Sequence, residues 1–155
     1  MAPLGAIMIK QVLLAPVPWD HLESAEGQPA LRERVAFGSS SAQVLSLPIG
    51  LPVFIYGSNP RHGRFKAGVV TWAGTLGAIV PAVERGRRSG QHPDSTVRPP
   101  SAEKDDTGFL CFFEVQGFHP LAAPRKLSEF TKSNGKGKPF TGDVPQWPVL
   151  AYLDY

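Results

Sequence analysis

The sequence predicts one α+β domain over residues 1–155, built as a small mixed β-barrel of about six strands with two or three short helices outside it. Gly and Pro number 16 each, which favours short strands and loops over long helices. Apolar runs of strand length recur between turn residues. Strand and helix patterns do not alternate regularly, so a doubly wound α/β fold is not expected.

The stretch Leu51–Val83 predicts a β-meander at the centre of this fold. Turn residues 57–60 and the pair Ala73-Gly74 separate three apolar runs of strand length. Basic residues occupy the first turn and aromatic residues the strands, a combination suited to a flat, anionic ligand. The three runs are Leu51–Tyr56, Phe65–Trp72 and Thr75–Val83.

Before the meander, the pattern predicts one strand and two short helices. Ile7–Ala15 is almost wholly apolar and is predicted as a buried strand that Pro16 ends. The polar stretch 20–29 is predicted as a loop, and Ala30–Phe37 as a short helix. Ser40 or Ser41 is predicted to cap a further short helix that ends at Leu45.

After the meander, the sequence predicts a long mobile loop over residues 84–107, because Pro, Ser and charged residues replace the apolar periodicity. Gly108–Gly117 is predicted as a strand, Leu127–Phe130 as one helical turn and 131–144 as a Gly/Lys loop. Gln146–Leu153 is predicted as the last strand.

Basic residues are concentrated in two segments. Residues 61–88 and 125–138 together hold 11 of the 16 Lys and Arg residues but only 2 of the 13 acidic residues. Such a distribution predicts a polyanionic partner. A solvated surface with no such partner is the alternative.

The chain carries no pattern that predicts catalysis, a metal site or a bound cofactor. Its one cysteine, Cys111, lies within an apolar run and is predicted to be a buried structural thiol. The four histidines stand in no motif with a nucleophile or a metal ligand. With no signal pattern and no apolar run of 18 residues, a soluble cytoplasmic protein with no membrane partner is predicted.

Aromatic residues at strand ends predict a pocket for a base. A base in a pocket needs aromatic faces for stacking, polar groups along its edge and cations for the flanking phosphates. The predicted base pocket comprises Trp19, Ser39, Ser40, Tyr56, Ser58, Asn59, Phe65 and Trp72. The predicted phosphate-binding residues are Arg61, Arg64, Lys66, Arg87, Arg88, Lys136 and Lys138.

The central segment 48–70 resembles EVE-type domains, which are PUA-like barrels related to the YTH readers of methylated RNA. A second block, from Arg98-Pro99 through the strand at 109–115 to the Pro-x-x-Leu at 124–127, is similar to that family's continuation. The resemblance spans most of residues 8–131. Two features depart from the family pattern: Gly50-Leu51-Pro52 replaces a Gly-Asp, and residues 35–40 lack a Trp and an Arg-Asn pair. The residues of the central segment that carry the resemblance are Gly50, Tyr56, Ser58 and Gly68.

The resemblance implies a non-catalytic module that binds nucleic acid and recognises a modified base. DNA is favoured as the partner, and such modules often serve bacterial restriction or defence systems beside a partner nuclease. An RNA-binding PUA-like module is one alternative. A protein-interaction domain that uses the 84–107 loop and exposed aromatic residues is another.

Overall fold

A seven-stranded mixed sheet dominates the protein. The computed structural model describes residues 9–58, 69–85, 88–91, 97–100, 109–132, 139–140 and 148–154. Within these ranges the sheet is accompanied by one α-helix, a separate two-stranded hairpin and short 3-10 helices. The predicted α+β class with a sheet-dominated fold is confirmed.

The strands take up most of the described chain. The α-helix, α1, spans Trp19–Glu26, and 3-10 helices span Pro29–Arg32, Ala42–Ser46 and Leu127–Glu129. The strands are β1 (Ile9–Pro18), β2 (Arg34–Ser39), β3 (Pro52–Ser58), β4 (Val69–Pro81), β5 (Val83–Arg85), β6 (Arg88–Gln91), β7 (Cys111–Lys126), β8 (Phe130–Thr131) and β9 (Val149–Asp154).

The main sheet has the strand order β2-β7-β4-β3-β1-β9-β8. Strands β1 and β3 pair in parallel, with Leu13 opposite Val53 and Pro18 opposite Ser58. All other pairs are antiparallel. Because β1 and β3 run in the same direction, their carboxyl ends lie side by side.

Both faces of the central strands β1 and β3 are buried. Alternate residues of β1 and β3 belong to two separate apolar clusters, as the two-residue period of a strand requires. The first cluster, here called the Trp72 face, includes Leu13, Ala15, Val17, Val53, Ile55, Trp72 and Leu76. The second cluster, here called the Tyr56 face, includes Val12, Leu14, Phe54, Tyr56, Val70, Phe130 and Ala151.

The predicted turn at Ala73-Gly74 is wrong, because β4 runs without a break from Val69 to Pro81. Gly74 is needed for packing. A Cβ atom there would contact the Val115 side chain and lie 2.8 Å from the Gln116 carbonyl oxygen on β7. The glycine therefore allows two long strands to approach each other closely.

The predictions for residues 20–37 are also wrong. Residues 19–26 form α1, which buries Leu22 and Ala25, three residues apart on one helical face. The predicted helix Ala30–Phe37 is instead a 3-10 turn followed by β2, whose Val35 to Phe37 are all buried against β7. Burial on both sides favours the strand over an amphipathic helix.

Strand β1 continues past Pro16, where it was predicted to end. Strand β9 pairs with β1 only over Ile9–Leu14, so the Pro16–Pro18 end of β1 has a strand neighbour on one side among the described residues. Proline is tolerated at such an edge because it removes a donor that the sheet does not use.

The segment predicted as a loop over 84–107 contributes a buried arginine. The guanidinium of Arg98 donates a hydrogen bond to the Ala36 carbonyl and lies 5.0 Å from the centre of the Phe112 ring. The Val97 carbonyl accepts a hydrogen bond from the Ala36 amide at 2.7 Å. Residues 97–98 thus cover the outer edge of β2. Strands β5 and β6, which pair antiparallel, overlap the start of the same segment.

Gly74→Ala is expected to lower the free energy of unfolding by about 1–3 kcal/mol, because the added methyl group forces β4 and β7 apart. Urea unfolding followed by circular dichroism measures this change. Gly27→Ala is the matched control, since Gly27 has φ −72° and a Cβ there lies 3.7 Å from its nearest neighbour. An equal loss in both variants would contradict the packing role of Gly74.

Candidate nucleic-acid interface

The carboxyl ends of β1 and β3 bring two predicted site residues to one edge of the sheet. Pro18 lies opposite Ser58 at the end of the parallel pair, and Trp19 follows at once as the first residue of α1. Ser58 is half-buried at the last position of β3. The parallel register therefore places Trp19 and Ser58 at the same end.

Trp19 and Trp72 are in direct contact. Their ring centres are 5.4 Å apart with an interplanar angle of 59°. Trp72 is also stacked on Phe118, with ring centres 6.4 Å apart and an angle of 5°. Phe118 meets Phe37 edge to face at 5.9 Å. These four rings form an aromatic column that runs from the half-buried Trp19 into the core.

The two tryptophans differ in what they offer to a ligand. Trp72 is only 3% exposed, and Trp19 and Phe118 cover it. Trp19 is half-buried, so part of its surface faces solvent. Trp19 is therefore the ring of this column on which a base could stack, and Trp72 supports it from behind.

Basic residues of β7 reach the same edge of the sheet. Lys126 lies opposite Val69, and Arg125 lies opposite Val70, at the start of β4. Lys126 is exposed, and Arg125 forms an ion pair of 3.6 Å with Glu129. In the sheet order, β4 and β3 lie between β7 and β1. The distance from β7 to β1 is therefore three inter-strand spacings, or roughly 14 Å. Trp19, Ser58 and Lys126 thus share one edge.

Tyr56 does not lie with Trp19 and Trp72. It belongs to the Tyr56 face and is fully buried there among Phe130, Ala151 and their neighbours. Burial raises the pKa of its hydroxyl well above the ordinary value. Tyr56 is opposite Val70, whereas Ile55 is opposite Trp72, so the sheet itself separates the two rings.

The predicted serines 39 and 40 lie on β2 and just after it, away from Trp19. Ser39 is buried opposite Cys111, and its hydroxyl accepts a hydrogen bond from the Ser41 amide at 3.1 Å. Ser40 is exposed. Three strands separate β2 from β1 in the sheet order, so the structure does not bring these serines to Trp19.

The remaining predicted residues lie mostly outside the described ranges. Arg88 is the first residue of β6. The residues outside the description are Asn59, Arg61, Arg64, Phe65, Lys66, Arg87, Lys136 and Lys138.

Cys111 has the environment of a structural thiol. It is fully buried, as predicted, and burial raises the pKa of its thiol. A raised pKa keeps the thiol protonated near neutral pH and makes it a poor nucleophile. Within the described part of the chain, no three His, Cys, Asp or Glu residues are grouped so that they could hold a metal ion.

Two features of the structure were not predicted from the sequence. Arg125 and Lys126 were assigned to a basic segment but not to the site, because only the β4–β7 register places them there. A cavity of about 390 Å³ also lies between the 3-10 helix Ala42–Ser46 and β9, and none of the predicted site residues lines it. No short motif marks its lining in the sequence.

No family model matches the chain, and comparison with curated proteins and solved structures gives no significant match. The resemblance to EVE-type domains therefore stays a prediction. None of the helices within the described ranges has both the length and the apolar character needed to cross a membrane.

Alkaline pH is expected to destabilise the wild-type protein more than a Tyr56→Phe variant. The pKa of buried Tyr56 is raised above the unfolded value near 10. Its contribution to stability is therefore complete below about pH 10 and is lost as pH rises through the folded pKa, by up to about 1.4 kcal/mol per pH unit.

Urea unfolding of both proteins at pH 8, 10 and 11 measures this effect. Other titrating groups are common to both proteins and cancel in the comparison. A difference in unfolding free energy that stays constant from pH 8 to 11 would show that Tyr56 ionises as readily when folded as when unfolded.

Proposed function

We propose that this protein is a non-catalytic module that binds nucleic acid and holds one base against Trp19. The observation that carries the proposal is that half-buried Trp19, Ser58 and the Arg125-Lys126 pair lie at the same end of the sheet. An aromatic face, a hydroxyl and adjacent cations are the groups that recognise a base and its phosphates.

The energetics favour Trp19 as a stacking platform. Stacking of one base on an aromatic side chain contributes about 1–3 kcal/mol. The contacts of Trp19 with Trp72 restrict its motion before binding, so less side-chain entropy is lost when a base arrives. The base would rest on the outer side of Trp19, because Trp72 lies behind it.

The charge distribution supports a polyanion at this edge. The chain enters β4 at Val69 directly from a segment that contains Arg61, Arg64 and Lys66. The β4–β7 register places Lys126, from the second basic segment, opposite Val69. Lys126 of the second basic segment therefore lies beside Val69 and Val70, and its positive charge would attract phosphates to this end of the sheet.

The resemblance to EVE-type domains adds the finer part of the proposal. It supports a PUA-like barrel, a modified base as the recognised feature, DNA as the favoured partner and a link to restriction or defence through a partner nuclease. Matched DNA and RNA oligonucleotides in competition distinguish the DNA reader from the RNA-binding alternative, because only RNA carries the 2′-hydroxyl. A protein-interaction domain would bind neither.

Trp19→Ala is expected to weaken binding of oligonucleotides about 5- to 150-fold, the equivalent of one lost stacking contact. Trp19→Phe should retain most of the affinity. Fluorescence anisotropy with modified and unmodified oligonucleotides at 50 and 200 mM salt measures both. Leu110→Ala, which truncates an exposed apolar residue before β7, is the control. Absence of binding by the wild type even at low salt would refute the proposed function.

Lys126→Gln is expected to weaken binding of all oligonucleotides alike and to lower the salt dependence by about one phosphate contact. Lys10→Gln is the matched control, because Lys10 is exposed at the opposite end of β1, opposite Leu153. The slope of log affinity against log salt concentration measures the number of phosphate contacts. Equal slopes for the Lys126 variant and the wild type would exclude Lys126 from the interface.

A further inference from the structure

A second concave site lies on the Trp72 face, far from Trp19. It is a cavity of about 390 Å³ between the 3-10 helix Ala42–Ser46 and β9, with Leu13 at its base and Gln43, Ser46, Leu47, Val149 and Leu150 around it. Leu13 precedes Pro18 by five residues on β1, a distance of roughly 17 Å along the strand. The cavity is therefore separate from the proposed nucleic-acid interface.

The size and lining of the cavity restrict what it can hold. Its volume is within the range of about 300–1,000 Å³ that small-molecule pockets have. None of its lining residues is charged. A charged ligand would lose hydration there without gaining a charged partner. The lining thus favours a neutral, largely apolar compound.

Two polar side chains are available at the cavity, and they differ in their bonding. The Ser46 hydroxyl donates to the Gln43 carbonyl at 3.0 Å, so its donor is engaged within the helix. Gln43 is exposed, and its side-chain amide can both accept and donate a hydrogen bond. Gln43 can therefore orient a ring that carries one polar edge.

The strand side of the cavity leaves apolar surface exposed. Leu150 lines the cavity and is 36% exposed, although Leu13, which lies opposite it on β1, is fully buried. Covering the exposed part of Leu150 would be favourable, because burial of apolar surface contributes about 25 cal/mol per Å².

We propose that this cavity binds a neutral ring compound of one or two fused rings, with Gln43 bonding its polar edge. Indole is a suitable probe, since it is flat, neutral and carries one N–H donor. Indole-3-acetate adds a carboxylate to the same ring, and 1-methylindole removes the donor.

Amide chemical shifts of the full chain, titrated with indole, test the proposal. We expect saturable shifts confined to residues 43–47 and 148–150, with binding at roughly millimolar concentration or tighter. Indole-3-acetate should bind at least about 10-fold more weakly, because its charge must be desolvated. Shifts spread over the surface, or equal affinity for the two compounds, would overturn the proposal.

Filling the cavity is expected to abolish indole binding. Ser46→Trp places a large side chain at the helix side, and Leu150→Trp fills it from the strand side, so one variant remains informative if the other does not fold. Ser128→Trp, at an exposed position of the 3-10 helix Leu127–Glu129, is the control and should bind indole as the wild type does. Unchanged binding in a folded cavity-filling variant would overturn the proposal.

Gln43→Ala separates orientation from simple burial. We expect it to weaken indole about 3- to 10-fold, the equivalent of one hydrogen bond, and to leave 1-methylindole unchanged. Equal weakening of both compounds would overturn the assigned role of Gln43.

Discussion

The fold depends on burial of both faces of β1. Val12 and Leu14 pack on the Tyr56 face, while Leu13, Ala15 and Val17 pack on the Trp72 face, and all five are at most 1% exposed. A strand with two buried faces needs strand neighbours and apolar cover on both sides of the sheet. Strands β3 and β9 are those neighbours. Because β1 and β3 are parallel and Pro18 lies opposite Ser58, Trp19 follows β1 at the same end of the sheet as Ser58.

The sequence predicted the existence of most strands better than their ends. Local apolar runs identify β1, β3, β7 and β9, because an apolar run of strand length indicates a buried strand whichever neighbours it pairs with. The predicted break at Gly74 failed because glycine permits either a turn or a close approach, and only the position of Val115 on β7 decides between them. Likewise the local pattern of Ala30–Phe37 predicts a helix, because neither the pairing of β2 with β7 nor the burial of Val35 to Phe37 is apparent from the sequence.

The candidate site could be predicted only in part, because the sequence alone does not show which face of the sheet each strand residue occupies. Trp19, Tyr56 and Trp72 all lie beside turn signals, and all were assigned to one pocket. Ile55 lies opposite Trp72 and Tyr56 opposite Val70, which places the Tyr56 ring on the other side of the sheet. A shift of one residue reverses which face a side chain occupies. The contact between Trp19 and Trp72 requires the parallel register, which no local pattern encodes.

The aromatic column combines stability with the ring exposure that the proposed function requires. Fully burying Trp19 would add apolar contacts but would leave no ring for the proposed base, whereas an isolated surface tryptophan would be mobile. Trp72 resolves this conflict, because it is stacked on Phe118 in the core and contacts Trp19 on its outer side. The core thus fixes the position of a half-exposed ring. Since Phe118 and Lys126 belong to the same strand, β7, the strand that anchors this column also carries a cation to the sheet edge where Trp19 lies.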